Sequence, residues 1–146
     1  MIFLTLDQLE QQGYIKPLPI DSRKVEDALL LALRDIATAK TLLQHDTDWA
    51  FSIAYNAILQ TLRAFMFSKG YRPVGGNQHV SAVRFAELFL EKDVVIVIDR
   101  IRRKRHASVY DTVGTISKNE SEMAISTAEK VLFDIKQCIG KNTTRK

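Results

Sequence analysis

"WAFSIAYNAILQTLRAFMFSK", residues 49–69, decides how the rest of the chain must fold. On a helical wheel it is apolar almost all round, and only Ser52, Asn56, Gln60 and Arg63 form a narrow polar stripe. A helix that is hydrophobic on nearly every side needs neighbours on nearly every side, so this segment is expected at the centre of a bundle. Asp46 or Asp48 supplies its N-cap, and Gly70 its stop.

The neighbours are legible on both sides. Residues 21–46 open with the capping residues Asp21 and Ser22. Val25, Leu29, Ala32, Leu33, Ile36, Ala39 and Leu43 then recur at a helical period. After the loop "GYRPVGGNQ", marked by Pro73 and the Gly75–Gly76 pair, Asn77 can cap a helix running to about Lys92. Another runs from about Asp93 to Thr112, followed by Gly114. A last one carries Ala124, Ala128, Val131, Ile135 and Cys138 on one face and has Gly140 as its expected stop. Strand signals are weak, and "VVIVI" (residues 94–98), the one run that could pass, lies between helical neighbours. The expected fold is all-α, an up-and-down helical bundle of four to five helices over residues 21–140. Residues 1–20 form an extension with a short helix from Thr5 to Gly13, and residues 141–146 a disordered tail.

At 146 residues, 46% hydrophobic and 26% charged, the chain has the make-up of one soluble globular domain. Its apolar runs fall far short of the roughly 20 residues needed to span a bilayer. The first 20 residues lack the pattern of a secretory signal. A single cysteine excludes an internal disulfide and fits a reducing cytoplasm. Cys138 is expected to be a packing residue. His45, His79 and His106 are scattered, without cysteines or paired carboxylates at ligand spacing, so no metal is expected. No Walker loop or GxSxG elbow is present, and no cofactor is expected.

The charge is informative once it is located. Of the 21 basic residues, five lie at positions 100–105 (Arg100, Arg102, Arg103, Lys104, Arg105), and the 16 elsewhere are outnumbered by 17 acidic ones. The positive excess therefore sits in one short segment, an electrostatic footprint suited to phosphates. On the wheel, Val94, Val97, Ile98, Ile101 and Val109 form a buried stripe. Arg102, His106 and Tyr110 run along its edge at i, i+4 and i+8. Arg105 falls inside the apolar arc, where a guanidinium needs a carboxylate, a bound phosphate or the rim of an interface. Arginine holds phosphate bidentately at any relevant pH, and histidine can move a proton during phosphodiester transfer. Two plainer readings stand beside this one: a solvated charged face matching the helix macrodipole, and a grip on nucleic acid without chemistry.

An all-helical chain of this length with "RIRRKRHASVYD" in its penultimate long helix resembles the HEPN family. So does "AYNAILQTLRAFMFSKGYRPVGGNQH", where an apolar helix leads into a GYRP loop and a polar histidine. The resemblance covers roughly residues 21 to 140. That family's signature is an arginine, four to six residues, then a histidine, which Arg100 and His106 satisfy. The resemblance implies a homodimer with two such motifs at a shared cleft. It also implies metal-independent cleavage of RNA by a catalytic pair Arg100 and His106, with Arg102, Arg103, Lys104, Arg105 and Tyr110 on phosphate or RNA. Many such proteins are toxins neutralised by a minimal nucleotidyltransferase, an antitoxin partner; others are non-catalytic modules that bind a nucleotide or such a partner. One departure bears on this choice. Ile101 stands where the family often has a small polar residue, and a regular helix turns Arg100 about 120° away from His106.

Overall fold

The computed structural model describes residues 4–76, 78–110 and 114–144, and for 108–110 and 141–144 the backbone alone. Its elements are α1 (Leu6–Gln11), β1 (Ile15–Pro17), α2 (Ser22–Leu42), α3 (Thr47–Ser68), β2 (Tyr71–Pro73), α4 (Gln78–Ala86), α5 (Lys92–Tyr110) and α6 (Lys118–Thr144). The architecture is all-α.

The helix starts follow from side chains that accept the free N–H groups of a first turn. Thr5 and Gln8 form a capping box on α1, and Asp21 accepts from the Arg23 amide at 2.9 Å on α2. Asp46, the first of the two candidate caps, accepts from the Trp49 amide at 3.0 Å on α3. Ser117 and Glu120 form a reciprocal pair before α6. The stop of α3 falls at Gly70, whose φ of +86° is a left-handed conformation that residues with a side chain rarely adopt.

α3 is the central helix. It packs most extensively on α2, then on α6, and also meets α4, α5 and β2. Ala54, Tyr55, Ala57, Ile58, Ala64 and Met66 are fully enclosed, and so is its polar residue Thr61, whose hydroxyl donates to the Ala57 carbonyl at 2.9 Å. Asp35 of α2 is a buried carboxylate facing α3. It accepts from Arg34 at 3.0 Å and from the Asn56 side-chain amide at 2.7 Å, so both of its oxygens are satisfied. α4 docks through an aromatic cluster in which Phe85 and Phe89 meet Phe65 edge-on. Three hydrogen bonds fasten the α5–α6 link and the first turn of α6 onto the start of α3. The Gly114 amide donates to Asp48, the Thr47 hydroxyl to the Ile116 carbonyl, and the Ser121 hydroxyl to the Thr47 carbonyl.

Several expectations are corrected. Two short strands exist: β1 and β2 pair antiparallel with Ile15 opposite Pro73 and Pro17 opposite Tyr71. "VVIVI" is helical, as its neighbours led us to expect, inside α5. The helix beginning near Asn77 ends at Ala86, because residues 87–90 make turns back onto Val83, Phe85 and Ala86 before α5 begins. α6 continues past Gly140 to Thr144. Leu33, assigned to the apolar stripe of α2, is 50% exposed, while Ala28 and Asp35 point inward instead. Cys138 is exposed, since the buried face of α6 runs through Ala124, Ile125, Ala128, Val131, Leu132 and Ile135. The cap expected at Asn77, the side chains of Val109 and Tyr110, and the last two residues lie outside what the structure describes.

Candidate functional site

α5 is held by an apolar edge. Val95, Ile98 and Ile101 are buried at a spacing of three residues, with Val94 and Val97 half-buried beside them. Burial of Ile101 sets the rotation of the helix and thereby sorts the cations that surround it. Arg100 and Arg103 are exposed, and Arg102, Lys104 and Arg105 are half-buried.

The five cations divide among three environments. Asp99 binds two arginines at once: its Oδ1 lies 2.9 Å from Arg102 Nη2, and its Oδ2 2.6 Å from Arg103 Nη2. Lys104 reaches across to Glu120 at the start of α6. That contact, then the Ser117 amide, holds the Glu120 carboxyl below its usual range. Arg100, Arg102 and Arg103 line a groove of about 550 Å³ together with Arg84, Glu87 and Asp99. In that groove Arg84 is paired to Glu87 at 2.6 Å. Arg100 also borders a small apolar cleft with Phe51, Val97 and Met123. His106 is exposed near the far end of the helix. With α5 regular from Lys92 to Tyr110, Arg100 and His106 project about 120° apart around its axis.

Arg105 is separated from the other four. It lies over the Tyr55 ring with its guanidinium carbon 5.6 Å from the ring centre. Its Nε is buried without a hydrogen-bond acceptor, and no ion pair to it is found among the described residues. The Tyr55 hydroxyl in turn lies 3.4 Å from Nδ1 of His79 on α4. Burial pushes the Tyr55 hydroxyl far above the usual tyrosine range, with Arg102 and Arg105 opposing that rise. Burial, then Arg105 and Arg102, lowers the His79 imidazole below its ordinary 6.5. At neutral pH both groups are therefore uncharged. The tyrosine keeps its proton, the neutral imidazole carries one N–H, and Nδ1 is the ring nitrogen engaged with the Tyr55 hydroxyl.

The structure thus gathers Arg100, Arg102 and Arg103 at one groove, ties Lys104 to α6, and turns Arg105 towards α3. The side chain of Tyr110 lies outside the described residues. Sequence reasoning missed Tyr55 altogether and left His79 without a partner. The one available signal was the lone tyrosine inside an otherwise aliphatic, aromatic and alanine-rich helix face. Among the described residues, no group of three or more histidine, cysteine, aspartate or glutamate side chains is placed to hold a metal ion. No helix among them is long and apolar enough to cross a membrane.

Comparison with known proteins agrees with this architecture. The crystal structure of TT1696 from Thermus thermophilus superposes with a TM-score of 0.65 at 17% identity, covering 78% of this chain and 97% of that one. At that identity the likeness is one of fold. No curated protein matches the chain. The HEPN domain model matches residues 25–138, from the first turns of α2 into α6. That match spans the central helix and the whole cationic helix α5, and the chain belongs to the HEPN family.

Proposed function

We propose that this chain is a toxin-type, metal-independent endoribonuclease that works as a homodimer and is neutralised by a minimal nucleotidyltransferase antitoxin. The observation that carries the reading is the concentration of cations on α5, with Arg100 and Arg103 exposed at a groove and His106 exposed on the same helix. Single-stranded RNA is a polyanion, and such a face attracts it before any base is read.

The chemistry needs a base, an acid and positive charge. His106 takes the proton of a ribose 2′-hydroxyl, and the 2′-oxygen attacks the adjacent phosphorus. The bond to the 5′-oxygen breaks, and that oxygen leaves with a proton from the second His106 of the dimer. The arginines stabilise the charge that develops on the phosphorane, an electrostatic contribution. A 2′,3′-cyclic phosphate and a 5′-hydroxyl result. Because Arg100 turns away from His106 on one helix, the pair is completed across the dimer, Arg100 of one copy beside His106 of the other.

A second reading has its own support. Ile101 is buried, so Arg100 is held away from His106, and Asp99 already engages Arg102 and Arg103. Such a surface suits a non-catalytic module that binds a nucleotide or a nucleotidyltransferase partner. The deciding experiment is incubation of a mixed RNA pool in EDTA with the protein and with His106→Ala. Cleavage by the parent alone, leaving 2′,3′-cyclic phosphate ends, supports the nuclease. A folded, dimeric parent that cuts nothing leaves the binding module.

A further inference from the structure

The polar stripe of α3 has no part in the chemistry above, yet it faces a cavity. Asn56, Gln60 and Arg63 recur at i, i+4 and i+7, and line a recess of about 190 Å³ between α3 and α4, opposite Gln78 and His79. Its floor is apolar: Leu59, Pro73 and Ala82 are all buried. Ligand sites for drug-sized molecules span roughly 300–1,000 Å³, so this recess suits a single small ring. Among the described residues no carboxylate lines it, since Asp35 stands behind Asn56 with both oxygens engaged.

The hydrogen-bonding character of the recess is fixed by its own internal bonds. The Asn56 amide nitrogen donates to Asp35 at 2.7 Å, which leaves Asn56 Oδ1 as the acceptor on that wall. A guanidinium can only donate, so Gln60 Oε1 must accept from Arg63 at 3.1 Å and Gln60 Nε2 remains as a donor. Arg63 Nε is buried with no acceptor among the described residues. His79 holds Tyr55 through Nδ1, so its other nitrogen is the one left for a ligand. Donors therefore outnumber acceptors around an apolar floor. The complementary ring carries more acceptors than donors on its edge. Among nucleobases the pyrimidines fit, each with two acceptors and one donor on the pairing edge, whereas the corresponding edge of guanine has one acceptor and two donors.

We infer that the recess between α3 and α4 seats a pyrimidine base, with Asn56, Gln60 and His79 reading its edge. This rests on the proposed RNA-binding role of α5, and it adds base selectivity to a face that otherwise reads only phosphates. The connection is physical. His79 lines the recess and also contacts Tyr55, over which Arg105 of the cationic helix is stacked.

The test is an NMR titration of the full chain with uridine, cytidine, adenosine and guanosine, and separately with inorganic phosphate and a uridine-rich oligoribonucleotide. Uridine and cytidine are expected to shift the side-chain amide signals of Asn56, Gln60 and Gln78, and the purine nucleosides to leave them in place. Gln60→Leu should weaken pyrimidine nucleosides at least fivefold without changing the phosphate response of α5. Gln78→Ala, at an exposed position, should reproduce part of that loss in a chain of unchanged melting temperature. Phosphate and oligonucleotide binding without any nucleoside response overturns the recess and leaves the RNA reading intact. Nucleoside binding without phosphate or oligonucleotide binding keeps the recess and removes the RNA reading. Equal response to all four nucleosides overturns the pyrimidine assignment.

Discussion

The hydroxyl of Tyr55 lies 3.4 Å from Nδ1 of His79, joining two helices at a point where neither residue carries a charge at neutral pH. Arg105 lies over the Tyr55 ring of this pair. A half-buried neutral histidine beside a guanidinium makes a definite pH response. Burial is the largest cause of its lowered titration, Arg105 the next and Arg102 the third. A proton therefore binds the unfolded imidazole, near 6.5, more readily than the folded one. Stability from this site is fully present above 6.5, falls as pH drops below it, and levels off once the folded imidazole also protonates. The expected result is a melting temperature that declines on acidification from pH 6.5, with a smaller decline in His79→Gln. In NMR titrations Arg105→Gln should move the His79 midpoint back towards its ordinary value. An unchanged midpoint in that variant would show that the guanidinium exerts no effect.

Arg105 and Lys104 are adjacent in sequence and differ in what they touch. Lys104 makes an ion pair with Glu120 that is about a third exposed on each side, an interaction typically worth 0.2–1 kcal/mol at about this exposure. Arg105 covers the Tyr55 ring with its Nε removed from water, where a cation over an aromatic face contributes about 1–2 kcal/mol. Arg105→Ala should therefore lower the melting temperature more than Lys104→Ala, measured by calorimetry under one buffer. Equal melting temperatures would contradict the stacked placement.

Asp99 neutralises two arginines that face the groove. Asp99→Ala frees both guanidiniums, so affinity for single-stranded RNA should rise several-fold. The logarithmic salt slope should steepen by about 0.7 for each phosphate newly contacted. Filter binding at several salt concentrations reads both quantities. A loss of affinity would mean that Asp99 is needed to aim the arginines.

Asn56 satisfies a carboxylate that is only 4% exposed. Asn56→Ala leaves Asp35 Oδ2 without that donor in a buried setting, and the expected cost is about 1.5–3 kcal/mol in chemical denaturation. Asn56→Ala combined with Asp35→Ala should cost less than the sum of the two single changes, because the orphaned acceptor is gone.

Much of the bundle was legible because its signals are local. Thr5, Asp21 and Asp46 announce helix starts through side chains that bond the next turn, and Gly70 marks an end that needs a left-handed residue. The all-round apolar character of residues 49–69 correctly placed α3 at the centre. The strands escaped notice because each is three residues long and contains a proline, too short for any alternation to register. Leu33 and Cys138 were misassigned for a common reason. A wheel ranks positions by angle, whereas burial also depends on whether a neighbour covers that part of the helix. The Tyr55–His79–Arg105 group was out of reach, since its members come from three helices and none signals the others. The cations of α5 were visible as a cluster, but their division between Asp99, Glu120 and Tyr55 is set by the rotation that Ile101 imposes.

The pairing of Ile15 with Pro73 joins chain segments that lie on either side of two full helices. Closing so long a loop carries an entropic cost before its few ladder bonds form, so the α2–α3 hairpin should assemble first and the β clasp afterwards. The order of opening is the reverse. In hydrogen exchange the amides of α1 and the clasp are expected to lose protection ahead of α3. The Val74 amide donates to the Tyr14 carbonyl at 2.9 Å, and the Ser81 hydroxyl to the Val74 carbonyl at 2.8 Å. Release of the N-terminal segment therefore loosens the foot of α4, and with it the placement of His79. Residues remote from the cationic helix in sequence thus govern how long its neighbouring histidine stays in position.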